Sequence, residues 1–183
     1  MKNSAPPERT SDEADANQIR MAKKEGEAYH HSLRYMAEEV ADNGDKKRAG
    51  GYIVAYAQER AEGMYMPDKN GNLKWSEPTE ENCHLEISVS DAGDKRFIPY
   101  LTVTATLVPS SGNVIGPIEI PFVWHPGLYH YGRNVRVPGD GHYALRISIE
   151  PPTFMRHDKI NGRRYAERVD VEFEKIKIKT GRE

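Results

Sequence analysis

Cysteine is almost absent from this chain: Cys83 stands alone in 183 residues. A single thiol excludes an internal disulfide framework and a four-cysteine zinc site, and leaves the redox compartment open. An excess of one charge is absent as well, with 26 Lys and Arg against 28 Asp and Glu and a net charge of −2. Such a balance implies neither nucleic acid nor an anionic membrane surface as a partner. The short basic run Lys46-Lys47-Arg48 reads as part of a solvated linker. No apolar run approaches the length needed to span a bilayer. Residues Met1 to Pro7 lack the apolar core of a signal peptide, so the chain is expected either to stay in the cytoplasm or to be read here without an export signal. There is no glycine-rich phosphate loop, no His-Glu-x-x-His and no Gly-x-Ser-x-Gly elbow. Ser88, Ser110 and Ser111 lie in contexts that do not mark a nucleophile.

The length suits one domain with a tail, or one large sandwich. Residues 1–14, polar and carrying Pro6-Pro7, are predicted to be a disordered tail. Residues 15–49 read as a helix and linker. Tyr29, Leu33, Met36, Ala37 and Val40 fall on one face of a helix from about Asp15 to Asp42, and Asn43-Gly44 would end it. The adjacent His30 and His31 point about 100° apart and cannot easily share an ion. From residue 50 to residue 183 the period changes to two. Leu101, Val103, Ala105 and Leu107 alternate with threonines, and Tyr143, Leu145, Ile147 and Ile149 alternate with polar residues. Val169, Val171 and Phe173 go out of phase with Ile176 and Ile178, which predicts a bulge near Glu174-Lys175. About seven short alternating strands, with turn residues and no helices between them, predict an all-β antiparallel sandwich with an N-terminal helical extension.

Two stretches could carry chemistry. The first runs from Pro121 to Gly132, where Ile118, Ile120, Phe122 and Trp124 read as one buried strand face that Pro126-Gly127 breaks, with His125 and His130 in the loop beyond. Those histidines either hold a metal or an anion, or form an aromatic corner in which they only hydrogen-bond backbone. In the second, Cys83, Leu85, Ile87 and Val89 share one face of a strand while His84 and Glu86 project side by side from the other. Their Cα atoms are about 6.5–7 Å apart, close enough to ligate one ion or to set the carboxylate behind a ligand. Cys83 faces the apolar side and reads as a small buried hydrophobe. His157, after Glu150-Pro151-Pro152, is a further candidate.

The ordered series His84-Leu85-Glu86, Ile98-Pro99-Tyr100-Leu101, His130-Tyr131-Gly132, Val137-Pro138-Gly139, Ile149-Glu150-Pro151-Pro152 and Arg156-His157 resembles the periplasmic high-affinity iron-transport proteins. The match covers roughly residues 50–179. The resemblance implies an immunoglobulin-like sandwich, a periplasmic or cell-envelope location, a homodimer and a membrane iron permease as partner. It also implies binding of copper together with iron or manganese; the nitrogen-rich donor set adds zinc as a candidate. Carried over, it makes His84, His130 and His157 metal ligands and Glu86 the neighbouring carboxylate. The family's methionine does not carry over, because Ile120-Pro121-Phe122 stands in its place, and the family's loop aspartate is missing near Pro126. His125 is therefore expected to complete the shell, with Met64, Met66 and Met155 as other sources of a ligand. A nitrogen-rich shell favours divalent ions over Cu(I). The resulting expectation is a divalent-metal binding protein that holds and hands over its ion. The alternative is an immunoglobulin-like interaction module without a metal site. A copper enzyme is disfavoured, since nothing beyond the ligands suggests a substrate pocket.

Overall fold

The computed structural model describes residues 8–183. A 20-residue helix, α1 (Ala16–Tyr35), starts at Asp15, whose carboxylate accepts from the backbone N–H groups of Asn17 and Gln18, while the Gln18 side chain accepts from the N–H of Asp15. This reciprocal cap satisfies N–H groups that a helix start would otherwise leave open. A π-helical turn, Met36–Val40, follows. It shifts the apolar stripe, so that Met36 is buried and Val40, expected on the same face, is exposed.

Eleven strands follow: β1 (Asn43–Ala49), β2 (Tyr52–Glu59), β3 (Met64–Pro67), β4 (Leu73–Ser76), β5 (Cys83–Asp91), β6 (Val103–Pro109), β7 (Ile115–Glu119), β8 (Phe122–Trp124), β9 (Tyr129–Val135), β10 (Gly141–Ile149) and β11 (Val169–Ile178). One sheet has the order β1-β2-β5-β9-β8 and the other β11-β10-β6-β7, with β3-β4 a separate hairpin. All strand pairs are antiparallel. The two larger sheets form the expected immunoglobulin-like sandwich. The core between them takes Tyr52, Val54, Leu85, Ile87 and Tyr131 from one sheet, and Val103, Leu107, Leu145, Ile147 and Phe173 from the other. Cys83 is part of this core, and burial pushes its thiol up to about 12. The bulge falls where expected: Tyr143 pairs with Ile176 and Leu145 with Phe173, so β11 carries one extra residue between them.

Three expectations need correction. The stretch 43–49, read as linker, is the edge strand β1, paired along its length with β2. Its Lys47 ammonium donates to the carbonyl of Glu172, which explains how a charged segment holds a strand position. Of the predicted tail, residues 1–7 lie outside the described residues, while residues 8–14 are tied down. The N–H of Arg9 donates to Asn161 and the hydroxyl of Ser11 donates to Asp158. The aromatic face on Ile118 to Trp124 is not continuous either. The chain leaves β7 in one sheet and enters β8 in the other across Ile120-Pro121, so Ile120 is buried whereas Phe122 and Trp124 are exposed. Alternation holds within a strand and is lost where the strand changes sheet. Phe122 packs on Phe97, Tyr129 and Tyr131 instead.

What positions the site is the helix. Every residue of β5 is buried, including His84, Glu86, Ser88 and Ser90 on the face turned away from the core. Helix α1 and the π-turn cover the outer face of the five-stranded sheet. Gly26 lies so close to the β5–β6 loop that a Cβ there would fall 1.8 Å from the carbonyl oxygen of Asp94, an approach open only to glycine. The Tyr29 hydroxyl, 2.8 Å from Ser88 Oγ, donates to the carbonyl of Tyr129 at 2.8 Å, so it stitches the helix to β5 and β9. Ala55 and Ala57 on β2 keep the covered face flat beneath it.

Candidate metal centre

Strand register assembles the site. Glu86 pairs with Gly132 and His84 with Asn134, so their side chains leave the sheet on the same side. His130, two residues before Gly132, joins them on that face. His84, Glu86 and His130 each offer a ligand atom within 4.8 Å of the other two, and all three residues are buried. Glu86 Oε1 lies 3.1 Å from His130 Nε2 and 3.8 Å from His84 Nε2. Neither approach has hydrogen-bond geometry, and both Nε2 atoms are buried without a hydrogen-bond partner. Buried polar atoms are rarely left so, and two imidazole nitrogens beside one carboxyl group are a donor set that can hold a cation.

The surroundings prepare the ligands for that role. His84 Nδ1 lies 3.0 Å from Asn134 Oδ1. The Asn134 amide nitrogen donates to the carbonyl of Glu62, which fixes the amide with its oxygen toward His84. His84 therefore carries its proton on Nδ1 and turns the Nε2 lone pair into the cluster. Burial lowers the pKa of His84 and of His130 to about 4, with the charges of His84 and His125 adding to the effect on His130. Burial, then the nearby Glu59 and Glu62, push Glu86 up to about 8. The histidines are thus neutral and ready to ligate, while the carboxyl holds a proton that a cation would replace. Gly132 leaves the space itself open, since a Cβ there would stand 3.0 Å from both His84 Nε2 and His130 Nε2. A cavity of about 20 Å³ lined by Met36, Ala37, Ala57, Glu86, Leu128 and His130 separates the site from the π-turn that roofs it. A larger groove of about 400 Å³ among Thr79, Glu80, Asn82, Arg136 and Arg182 shares no residue with the cluster.

The other candidates lie outside it. His125 stands beside His130, ring centroids 6.2 Å apart, but its Nδ1 accepts from the N–H of Gly127 at 3.0 Å. That bond leaves the neutral ring's proton on Nε2, so as placed His125 makes the backbone contact and offers no lone pair to an ion. His157 is 92% exposed and its Nδ1 pairs with Glu13 Oε2 at 3.1 Å. Its loop is tied to the far end of β5, where Arg164 and Tyr165 donate to Asp91. Asp91 is paired with Tyr52 and His84 with Glu59, opposite ends of a strand pair separated by roughly 23 Å at about 3.3 Å per residue. Within one chain His157 does not reach the cluster. Met66 and Met155 are exposed and Met64 opens the β3-β4 hairpin. Spacing along the chain could not find Asn134 or Glu62, nor the role of Gly132; only the β5-β9 register and the segment after β2 bring them to His84.

The sequence profile of the family described as "Fe2+ transport protein" matches residues 36–178, most of the chain. This chain belongs to that family. A UPF0423 protein of Brucella abortus (strain 2308) is 31% identical over 104 residues, which are 52% of this chain and 51% of that protein. A UPF0423 protein of Brucella melitensis matches to the same extent. The chain spans about half the length of the curated relatives it matches. Among solved structures, FetP of uropathogenic E. coli strain F11, recombinantly expressed in the periplasm, superposes with a TM-score of 0.61 at 23% identity, over 75% of this chain and 94% of that one. A copper-reconstituted P19 protein of Campylobacter jejuni gives 0.62 at 20% identity, over 76% and 96%. These likenesses show that the chain has the fold of FetP and P19.

Proposed function

We propose that the protein binds a divalent metal ion, iron or copper, for a high-affinity iron-uptake system, at a site built on His84, Glu86 and His130. The observation that carries this reading is the pair of buried, unpartnered Nε2 atoms, of His84 and His130, beside the one carboxyl group of Glu86. Two imidazoles and a carboxylate suit Fe(II), Cu(II) or Zn(II), and manganese less well. Copper-bound P19 and FetP structures share the fold, which agrees with such a cargo. The reading is of a carrier that exchanges ligands with a partner, with a membrane iron permease as receiver and the cell envelope as compartment. His157 keeps its place among the ligands only if a second copy of the chain supplies it, so the reading includes a homodimer in which His157 of one protomer approaches the cluster of the other.

The test uses protein purified without a histidine tag. Titration with Fe(II) under anaerobic conditions, and with Cu(II), Zn(II) and Mn(II), is expected to give one tight site per chain. His84→Ala and His130→Ala should each weaken it at least ~10-fold, the loss seen even for residues behind the ligands. His142→Ala, on the exposed side of β10, should change nothing. Failure of the tag-free protein to bind any of these ions, or equal affinity in all variants, would sink the proposal.

A further inference from the structure

Three of the groups that converge at the site are closed off from solvent, and one neighbour is not. Glu62 lies in the turn after β2, with its Oε1 3.5 Å from His84 Nε2, nearer than Glu86 comes to that atom. Its side chain is 36% exposed. We infer that Glu62 is a further ligand of the bound ion, and the one through which the ion enters and leaves. This rests on the metal-binding reading above and assigns within it the group that meets solvent.

The position of Glu62 is built rather than incidental. Its N–H lies 3.3 Å from Asn134 Oδ1, and its carbonyl accepts from Asn134 Nδ2 at 2.7 Å. That same Asn134 oxygen faces His84 Nδ1. One amide therefore sets both the tautomer of His84 and the place of the Glu62 backbone. On its other side the turn is held by the chain's C-terminal segment. Ala61, fully buried, donates its N–H to the carbonyl of Gly181 and accepts at its carbonyl from the N–H of Glu183. The backbone is thus fixed from both sides, while the Glu62 side chain, 36% exposed, is the part that reaches solvent. Its carboxylate can meet an ion in solvent and still touch His84. The remaining ligands are far less open, with side-chain exposures of 0% for His84, 4% for His130 and 10% for Glu86. A carrier that must release its ion needs one ligand able to leave first, and a half-exposed carboxylate on a fixed turn meets that need. With Glu62 the shell becomes two nitrogens and two oxygens, which favours Fe(II) and other divalent ions over Cu(I).

The experiment compares wild type with Glu62→Gln and Glu62→Ala in the full chain without a tag. Fe(II) affinity is read by anaerobic titration, Cu(I) affinity by competition with a chromogenic chelator, and the rate of ion release by stopped-flow transfer to excess chelator. Fe(II) affinity should fall at least ~10-fold in both variants. Cu(I) affinity should change less than about twofold, and Fe(II) release should change in rate by more than its affinity loss alone requires. Melting of the metal-free proteins checks that both variants fold; Glu62→Gln keeps the shape of the side chain if Glu62→Ala does not fold. Unchanged Fe(II) affinity in Glu62→Gln, with wild type still binding, overturns the role of Glu62 and leaves the metal site standing. Loss of Cu(I) affinity in Met36→Leu with no effect at Glu62 would give the fourth place to the thioether on the roof of the site, and also overturns it. No binding by wild type removes both readings together.

Discussion

Glu86 and Gly132 face each other across β5 and β9, and the missing side chain of Gly132 is what leaves room beside the Glu86 carboxylate for both histidine Nε2 atoms. The cluster therefore depends on a residue that contributes no atom to it. Gly132→Ala places a methyl group 3.0 Å from both Nε2 atoms. The expected result is a loss of metal affinity of at least ~10-fold, comparable to the loss of a ligand's support, in a protein that still folds. Calorimetric titration beside a thermal melt decides this, and unchanged affinity would remove Gly132 from the site.

The helix is the second lever. A Cβ at residue 26 would overlap the carbonyl of Asp94, so Gly26→Ala must force α1 and the β5–β6 loop apart. The expected cost is about 1–3 kcal/mol, typical of overpacking. Amide exchange over residues 16–35 should accelerate along with it, and because the helix and π-turn roof Glu86 and His130, ion release should become faster. A denaturant midpoint equal to that of wild type would show that the close approach does not matter.

Proton competition follows from the shifted groups. Glu86, pushed up to about 8, is protonated at neutral pH in the metal-free protein and must give up that proton to ligate. The histidines, with pKa values of about 4, are already neutral. Affinity should thus decline steadily as pH falls below about 8, by about tenfold per unit for one displaced proton, and steeply only on approach to pH 4. A site of ordinary solvent-exposed imidazoles would instead fail through about pH 6.5. Titrations at pH 8, 6.5 and 5 separate the two profiles, and Glu86→Gln should reduce proton release at pH 7.5 to the smaller share that Glu62, pushed up to about 7, gives up.

The same shift sets the stability of the metal-free protein. A carboxyl whose pKa is raised on folding stabilises the fold while it is protonated. Its contribution is full below the ordinary value of 4.5 and is lost as pH rises through about 8. Glu62, pushed up to about 7 by burial and by Glu59 and Glu183, acts in the same direction. The melting temperature of metal-free wild type should therefore fall between pH 6.5 and 8.5, and the fall should shrink in Glu86→Gln. A flat profile in wild type contradicts the buried, protonated carboxyl.

His157 makes a distinct prediction because it is exposed and far from the cluster in its own chain. His157→Ala should move stability by less than about 0.5 kcal/mol, as surface substitutions do. If a second copy supplies it, the variant should lose metal affinity only at protein concentrations where wild type is dimeric. Sedimentation together with titration at two concentrations tests this, and an equal loss in monomer and dimer would count against sharing between chains.

The sequence by itself determined much of this protein. Alternation at Cys83 to Val89 separates core from non-core residues because a strand turns successive side chains to opposite faces. It thereby sends Cys83 inward and sets His84 beside Glu86. The phase break before Ile176 marks the bulge for the same reason. Asp15 heads a helix that the structure finds, since a cap is a local matter of neighbouring N–H groups. What the tertiary structure decided is everything that depends on a partner element. Period two says which face a residue lies on, not what covers that face, so the burial of His84 and Glu86 was not legible. The switch of sheet at Pro121, which exposes Phe122 and Trp124, and the pairing of residues 43–49 as an edge strand also lie beyond a local pattern. Whether a histidine ligates depends on which hydrogen bond its other nitrogen makes. His84 meets Asn134 across a strand pair and turns its lone pair to the site, whereas His125 spends its own on Gly127.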